Sequence, residues 1–145
     1  MQRLLVPVDP DCAQRTQSAV SEAISRSWRE PVRVHVLSVQ PAVSGHVSMF
    51  FAEGEIQSMQ QDAGAEELAP ALQALRSAGV PCAGHVLVGR RAEMIATLAR
   101  EQRCDTILMG QDPNPGPVGR LFGSVAEQVR QLLGGPADGF RVIGS

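Results

Sequence analysis

The stretch that decides the reading is Asp105-Thr106-Ile107-Leu108-Met109-Gly110, followed by Gln111-Asp112-Pro113-Asn114-Pro115-Gly116-Pro117-Val118-Gly119 and then Arg120-Leu121-Phe122-Gly123-Ser124. A short apolar strand runs into a glycine. A wide turn rich in proline and glycine follows, and it delivers the chain to Gly-Ser at the start of a helical pattern. A helix start presents unpaired N–H groups and the positive end of the peptide dipole, which suits a phosphate. Strand, glycine loop and helix start together are the carboxyl-end corner of an α/β sheet.

Working outward, the same alternation fills the chain. Residues 3–8 and 32–39 are nearly all-apolar strands, and residues 81–88 form a third, with Gly89 marking its turn. Between the first two, Asp11 is placed to cap a helix reaching about Trp28, with Ala19, Val20, Ala23 and Ile24 near helical spacing. A long polar helical pattern covers residues 55–78, where Pro70 is expected to break or kink it. Residues 92–102 form a strong amphipathic helix with Met94, Ile95, Leu98 and Ala99 on one face, residues 124–133 a last helix, and residues 140–143 a weak final strand. Apolar strands alternating with helices indicate one α/β domain, a parallel sheet covered on both faces, over residues 1–145. Such sheets bind ligands at the carboxyl ends of their strands, where strand order reverses.

Composition removes several function classes. The chain has 145 residues, 43% of them hydrophobic, and a net charge of −2 without a basic block, so neither a nucleic-acid footprint nor a membrane span is expected. There is no lysine, which excludes a Walker lysine, a Schiff-base lysine and a lysine base together. Cys12, Cys82 and Cys104 are an odd number at scattered spacings, read as buried reduced thiols in a cytoplasmic protein. His35, His46 and His85 are scattered, and the first and last lie inside strands as structural histidines. Cys82 and His85, three apart on one strand, point to opposite faces and cannot pair. No nucleophile–base pair and no metal-ligand spacing stands out, so the chain is read as non-enzymatic, with slow hydrolysis of a bound phosphate ligand left open.

Four features resemble the universal stress protein family: the opening Leu4-Leu5-Val6-Pro7-Val8-Asp9, Val36-Leu37-Ser38-Val39 closing the second strand, Val88-Gly89, and the segment 107–125. The likeness covers essentially the whole chain. Nucleotide-binding members of the family show glycine, two residues, glycine, nine residues, then Gly-Ser or Gly-Thr. Gly110 and Gly123-Ser124 stand at those separations, with Pro113 in the place of the middle glycine. The resemblance implies a three-layer, doubly wound α/β sandwich with a five-stranded parallel sheet in the order 3-2-1-4-5, and a homodimer in which the last strand often makes the contact. It also implies that Pro7, Val8, Asp9 and Val39 hold an adenine, while Met109, Gly110, Gly123, Ser124 and Val125 hold ribose and phosphates of ATP or a related adenine nucleotide, with Mg²⁺ as the accompanying cation. Other members of the family bind no nucleotide and act as dimeric regulatory proteins.

Each residue also has a plainer role. Ser124 and Glu127 fit a capping box, so Ser124 can serve the helix alone. Gly110 can simply permit a left-handed turn. Asp9, before Pro10, can hydrogen-bond the next turn, or its carboxylate can accept from an exocyclic amine. Pro113, Pro115 and Pro117 lack N–H groups, whereas Gly116 and Gly119 can aim theirs inward as an anion nest. Arg90 and Arg91 are read as a solvated helix start ahead of the alternative that they approach a bound anion, and Met49, Phe50 and Phe51 as an apolar cluster docking onto the core ahead of a lid or partner surface. Two functions follow: a nucleotide-responsive module, or a ligand-independent dimeric interaction module.

Overall fold

The computed structural model describes residues 1–43, 45, 49–110, 125–134 and 141–144. Five strands, β1 (Gln2–Pro7), β2 (Val32–Gln40), β3 (Cys82–Val88), β4 (Thr106–Gly110) and β5 (Arg141–Gly144), form one sheet. Its order is β3-β2-β1-β4-β5 with every pair parallel, as the family resemblance implied. The helices are α1 (Ala13–Ser27), α2 (Glu53–Ser77), α3 (Arg91–Glu101) and α4 (Val125–Leu132).

Alternation along each strand sends successive side chains to opposite faces. Leu4, Val6 and Val8 of the first strand and its extension pack with Ala19, Val20 and Ala23 of α1 and with Leu68, Ala71 and Leu75 of α2. Leu5 and Leu37 face the other way, against Ala92, Ile95, Leu98 and Ala99 of α3 and Ala126 and Val129 of α4. This is the three-layer sandwich, with α1 and α2 on one face and α3 and α4 on the other. Cys82 belongs to the first layer and His85 bonds to buried His35, so the expectation that Cys82 and His85 do not meet holds. Only Cys104 of the three free thiols is buried, and burial pushes it up to about 12.

Two helix ends follow one scheme. At the end of α2 the N–H of Val80 donates to Leu75 O at 2.9 Å and that of Gly79 to Arg76 O at 3.0 Å, with Gly79 at φ +74°. At the end of α3, Cys104 donates to Ala99 O at 2.9 Å and Arg103, at φ +53°, to Arg100 O at 3.3 Å. Both are Schellman motifs, one using glycine and one forcing arginine into the left-handed region.

Three sequence expectations are corrected. Pro70 does not break α2, which runs unbroken through it. The proline sits on the exposed side, while Leu68, Ala71 and Leu75 are buried on the other. Burying two leucines at roughly 1.5–3 kcal/mol each offsets the ~3 kcal/mol that an interior proline costs. Asp11 is not the cap of α1; Cys12 occupies that position without a side-chain cap bond, and Asp11 lies one residue earlier in the turn, its N–H donating to the Asp9 carboxylate. Met49, Phe50 and Phe51 do not dock onto the core: they are 79%, 74% and 40% exposed.

Candidate functional site

The carboxyl ends of β1 and β4 meet the first turns of α1 and α3. Beyond β1, the Val8 N–H donates to Leu37 O at 2.8 Å, which carries the chain one residue past the strand still tied to β2. Asp9 then organises the turn into α1. Its N–H donates to Thr16 Oγ1 at 2.9 Å, its Oδ1 accepts the Asp11 N–H at 2.9 Å, and its carbonyl accepts from Cys12 at 3.2 Å. The turn-holding role read for Asp9 is therefore real.

The same carboxylate lies between two guanidinium groups. Arg15 Nε is 3.6 Å from Asp9 Oδ2 and Arg91 Nη1 is 3.7 Å from Oδ1, with all three side chains less than a third exposed. Among the described residues, two guanidinium groups thus converge on one carboxylate at the strand ends. Gly89 sets up the second cation: its N–H bonds Gln40 O at 3.0 Å at the end of β2, and α3 begins two residues later. Arg90 is the solvated residue expected of this helix start, at 87% side-chain exposure, but Arg91 is turned inward to Asp9.

The predicted site residues fall into three groups. Val39, Met109 and Val125 belong to the α3/α4 layer, half-buried or buried, and form an apolar wall on the face to which Arg91 reaches. Pro7 is buried at the end of β1, and Val8 faces the other layer, among the α1/α2 residues. Gly110 closes β4 at φ +77°, and a Cβ there would strike the carbonyl oxygen of Arg15. The close approach that requires glycine is thus made by the backbone of α1. Gly123 and Ser124, with Pro113 and the rest of the loop, lie outside the described residues. Arg15 and Arg91 were not among the predicted site residues. The pair Arg90-Arg91 directly after Gly89 was the only signal for one of them, and Arg15 carried none.

An apolar wall, a fixed acceptor and two guanidinium groups suit a flat ring with an exocyclic amine and an attached anion. Among the described residues no cluster of three metal-ligating side chains occurs. No helix among them is long and apolar enough to cross a membrane.

The model of the Universal stress protein family matches residues 1–133. The chain belongs to that family. Among curated proteins, none matches this sequence. Among solved structures, the universal stress protein from Archaeoglobus fulgidus aligns at 24% identity over 99% of this chain and 98% of its own, with a TM-score of 0.68. The same organism's universal stress protein in complex with dAMP aligns at 22% identity over 99% and 97%, with a TM-score of 0.63. A universal stress protein family member from Arabidopsis thaliana with AMP bound aligns at 15% identity over 99% and 90%, with a TM-score of 0.66. These likenesses carry the fold, and the family match carries the membership.

Proposed function

We propose that this protein is a non-enzymatic regulatory module that binds ATP or AMP at the carboxyl ends of β1 and β4. The supporting observation is the convergence of Asp9, Arg15 and Arg91 beside the apolar wall of Val39 and Met109. The dAMP and AMP complexes of structurally similar proteins support the same class of ligand. In this reading Asp9 meets the adenine amine, Val39 and Met109 cover the ring, Gly110 lines the ribose, and Gly123, Ser124 and Val125 meet the phosphates. Pro7 and Val8 hold the strand end in place. Mg²⁺ accompanies the phosphates, and the setting is the cytoplasm.

Pro113 supplies no N–H where the family pattern has a glycine. One lost charge-assisted bond costs roughly 1.5–3 kcal/mol, or about ten- to a hundredfold in affinity. We therefore expect calorimetric titration to give micromolar rather than nanomolar binding of ATP and AMP, no binding of GTP, and at least tenfold weaker ATP binding in Asp9→Ala. No heat and no thermal stabilisation with millimolar ATP would end this reading, because a ligand of the folded state must raise its stability by mass action.

A second reading is favoured by the ion pairs of Asp9, which already satisfy the carboxylate without a ligand. It makes the protein a ligand-independent homodimeric module that contacts its partner copy through β5. The Arg141 N–H bonds Asp105 O toward β4, so in a parallel ladder Val142 points its N–H and C=O to the open edge. Arg130 Nη2 donates to Val142 O at 3.2 Å and to Gly144 O at 3.1 Å, occupying acceptors that a paired strand would need. Removing the clamp in Arg130→Ala is expected to strengthen dimerisation by about tenfold, the worth of one hydrogen bond regained, as read by sedimentation equilibrium. Unchanged or weaker association would place the interface elsewhere.

A further inference from the structure

A cavity lies on the opposite layer from Val39, Met109 and Val125. It is a groove of about 590 Å³ between α1 and α2, open to solvent on one side. Its origin is legible in the packing. Helix α1 lies over β1 and β4, and α2 over β2 and β3. Two glycines pull α2 tight against the far strand. A Cβ on Gly64 would come 2.5 Å from Val86 Cγ2, and one on Gly84 2.9 Å from Leu72 Cδ1. The interval over β1 and β2 is left to small side chains, Ala13 and Ser21 from α1 and Ala71 and Ala74 from α2. Val8, Val20 and Ala71 are its most buried lining residues.

The charge of this lining is one-sided. Among the described residues it carries Asp9, Glu66 and Glu67 and no arginine. Asp9 is compensated by Arg15 and Arg91, whereas among the described residues neither Glu66 nor Glu67 has a guanidinium partner. Glu67 is fixed from beneath. The Ser38 hydroxyl, fully buried, donates to Glu67 Oε2 at 2.6 Å, and Gln40 Nε2 donates to Ser38 Oγ at 3.1 Å. A short charge-assisted bond of this kind orients a carboxylate while leaving further lone pairs to accept from a ligand. A cavity of this size, mostly apolar with a few placed polar groups, has the dimensions of a small-molecule site.

We propose that the groove between α1 and α2 binds an amphipathic organic cation, its apolar body lying along Val8, Val20 and Ala71 and its ammonium or iminium charge meeting Glu67 and Glu66. An anion is disfavoured by those two carboxylates. A neutral apolar ligand would fill the groove but leave a partly buried charge uncompensated. The groove meets the proposed nucleotide cleft at Val8 and Asp9, and Ala74, Ser21 and Ile24 carry it down the helices away from the strand ends, where Glu66 and Glu67 take no part in the nucleotide reading.

Thioflavin T, a flat aromatic cation whose fluorescence rises on immobilisation, is a direct probe. It is titrated onto the full chain at pH 7.5 beside the aromatic anion anilinonaphthalene sulfonate. Saturable one-to-one binding of the cation alone is expected, weakened about tenfold in Glu67→Gln and further in Glu66→Gln/Glu67→Gln, in line with loss of a charge-assisted contact. Ser21→Phe/Ala74→Trp fills the groove from two exposed positions and abolishes the signal. An unchanged thermal midpoint in that variant shows that the fold is intact. The proposal is overturned by no saturable binding, by equal binding of the anion, by survival of binding in the filled variant, or by self-association of the chain that the filled variant removes.

Discussion

Gly110→Ala is expected to lower the stability of the protein by about 2–5 kcal/mol. Two costs add. At φ +77° an L-residue is strained by roughly 1–2 kcal/mol. The new methyl group would also collide with the Arg15 carbonyl of α1, and overpacking at a rigid contact costs about 1–3 kcal/mol. Neither side has room to yield. Arg15 sits in the first turn of α1, tied through Asp9 and Thr16, and Gly110 is paired with Gly144 of β5 on its other side.

Gly79→Ala provides the comparison that separates the two costs. Gly79 has nearly the same backbone conformation, φ +74°, but no atom within 4 Å of a Cβ placed there. It is expected to lose only about 1–2 kcal/mol. Urea denaturation of both variants, with an unchanged m-value, gives the difference. For a chain of this length each kcal/mol corresponds to about 2–4 °C in the thermal midpoint. Equal losses in the two variants would mean that α1 moves freely away from β4, and would remove the argument that Gly110 is glycine because of α1.

That contact also shows where the sequence stops being legible. The strands were readable because they are buried on both faces and so appear as apolar runs, and Asp9, Val39 and Met109 could be placed at strand ends by counting along them. The order of the strands came from the family resemblance, and the register bears it out. What could not be read depends on one helix start meeting another. Arg15 and Arg91 converge on Asp9 only because α1 and α3 begin on opposite sides of the same strand end. The glycine of β4 was assigned either to a ligand or to a turn, and the third possibility, a neighbouring helix backbone, has no local signature. The error at Pro70 is of the same kind. Propensity is a local quantity, and buried leucines on the far side of the helix outweighed it. The exposed Met49-Phe50-Phe51 cluster failed in the opposite direction, since apolarity alone does not say what a segment packs against.

Acidification is expected to remove about 2 kcal/mol of stability between pH 7.5 and pH 5, through one pair of histidines. His35 Nδ1 lies 3.0 Å from His85 Nε2, with His35 only 5% exposed. One ring must donate and the other accept, so the pair works only while at least one imidazole is neutral. Burial, followed by the His85 charge and then Arg33 and Arg3, lowers His35 from 6.5 to about 4. His85 is lowered too, by burial, against the opposing pull of Glu101. The unfolded chain takes up a proton on each ring near pH 6.5, whereas the folded chain resists until well below it. Stability is therefore complete above about pH 6.5 and falls as pH drops toward 4, where the His35 contribution alone reaches roughly 3 kcal/mol. The window lies above the range in which carboxylates titrate, so urea midpoints measured between pH 7.5 and 5 isolate the histidines. In His35→Gln/His85→Gln an amide pair replaces the two imidazoles, and the slope in that window should vanish even if overall stability is lower. A slope that persists in the double variant would transfer the acid sensitivity to another group and leave the buried histidine pair as packing alone.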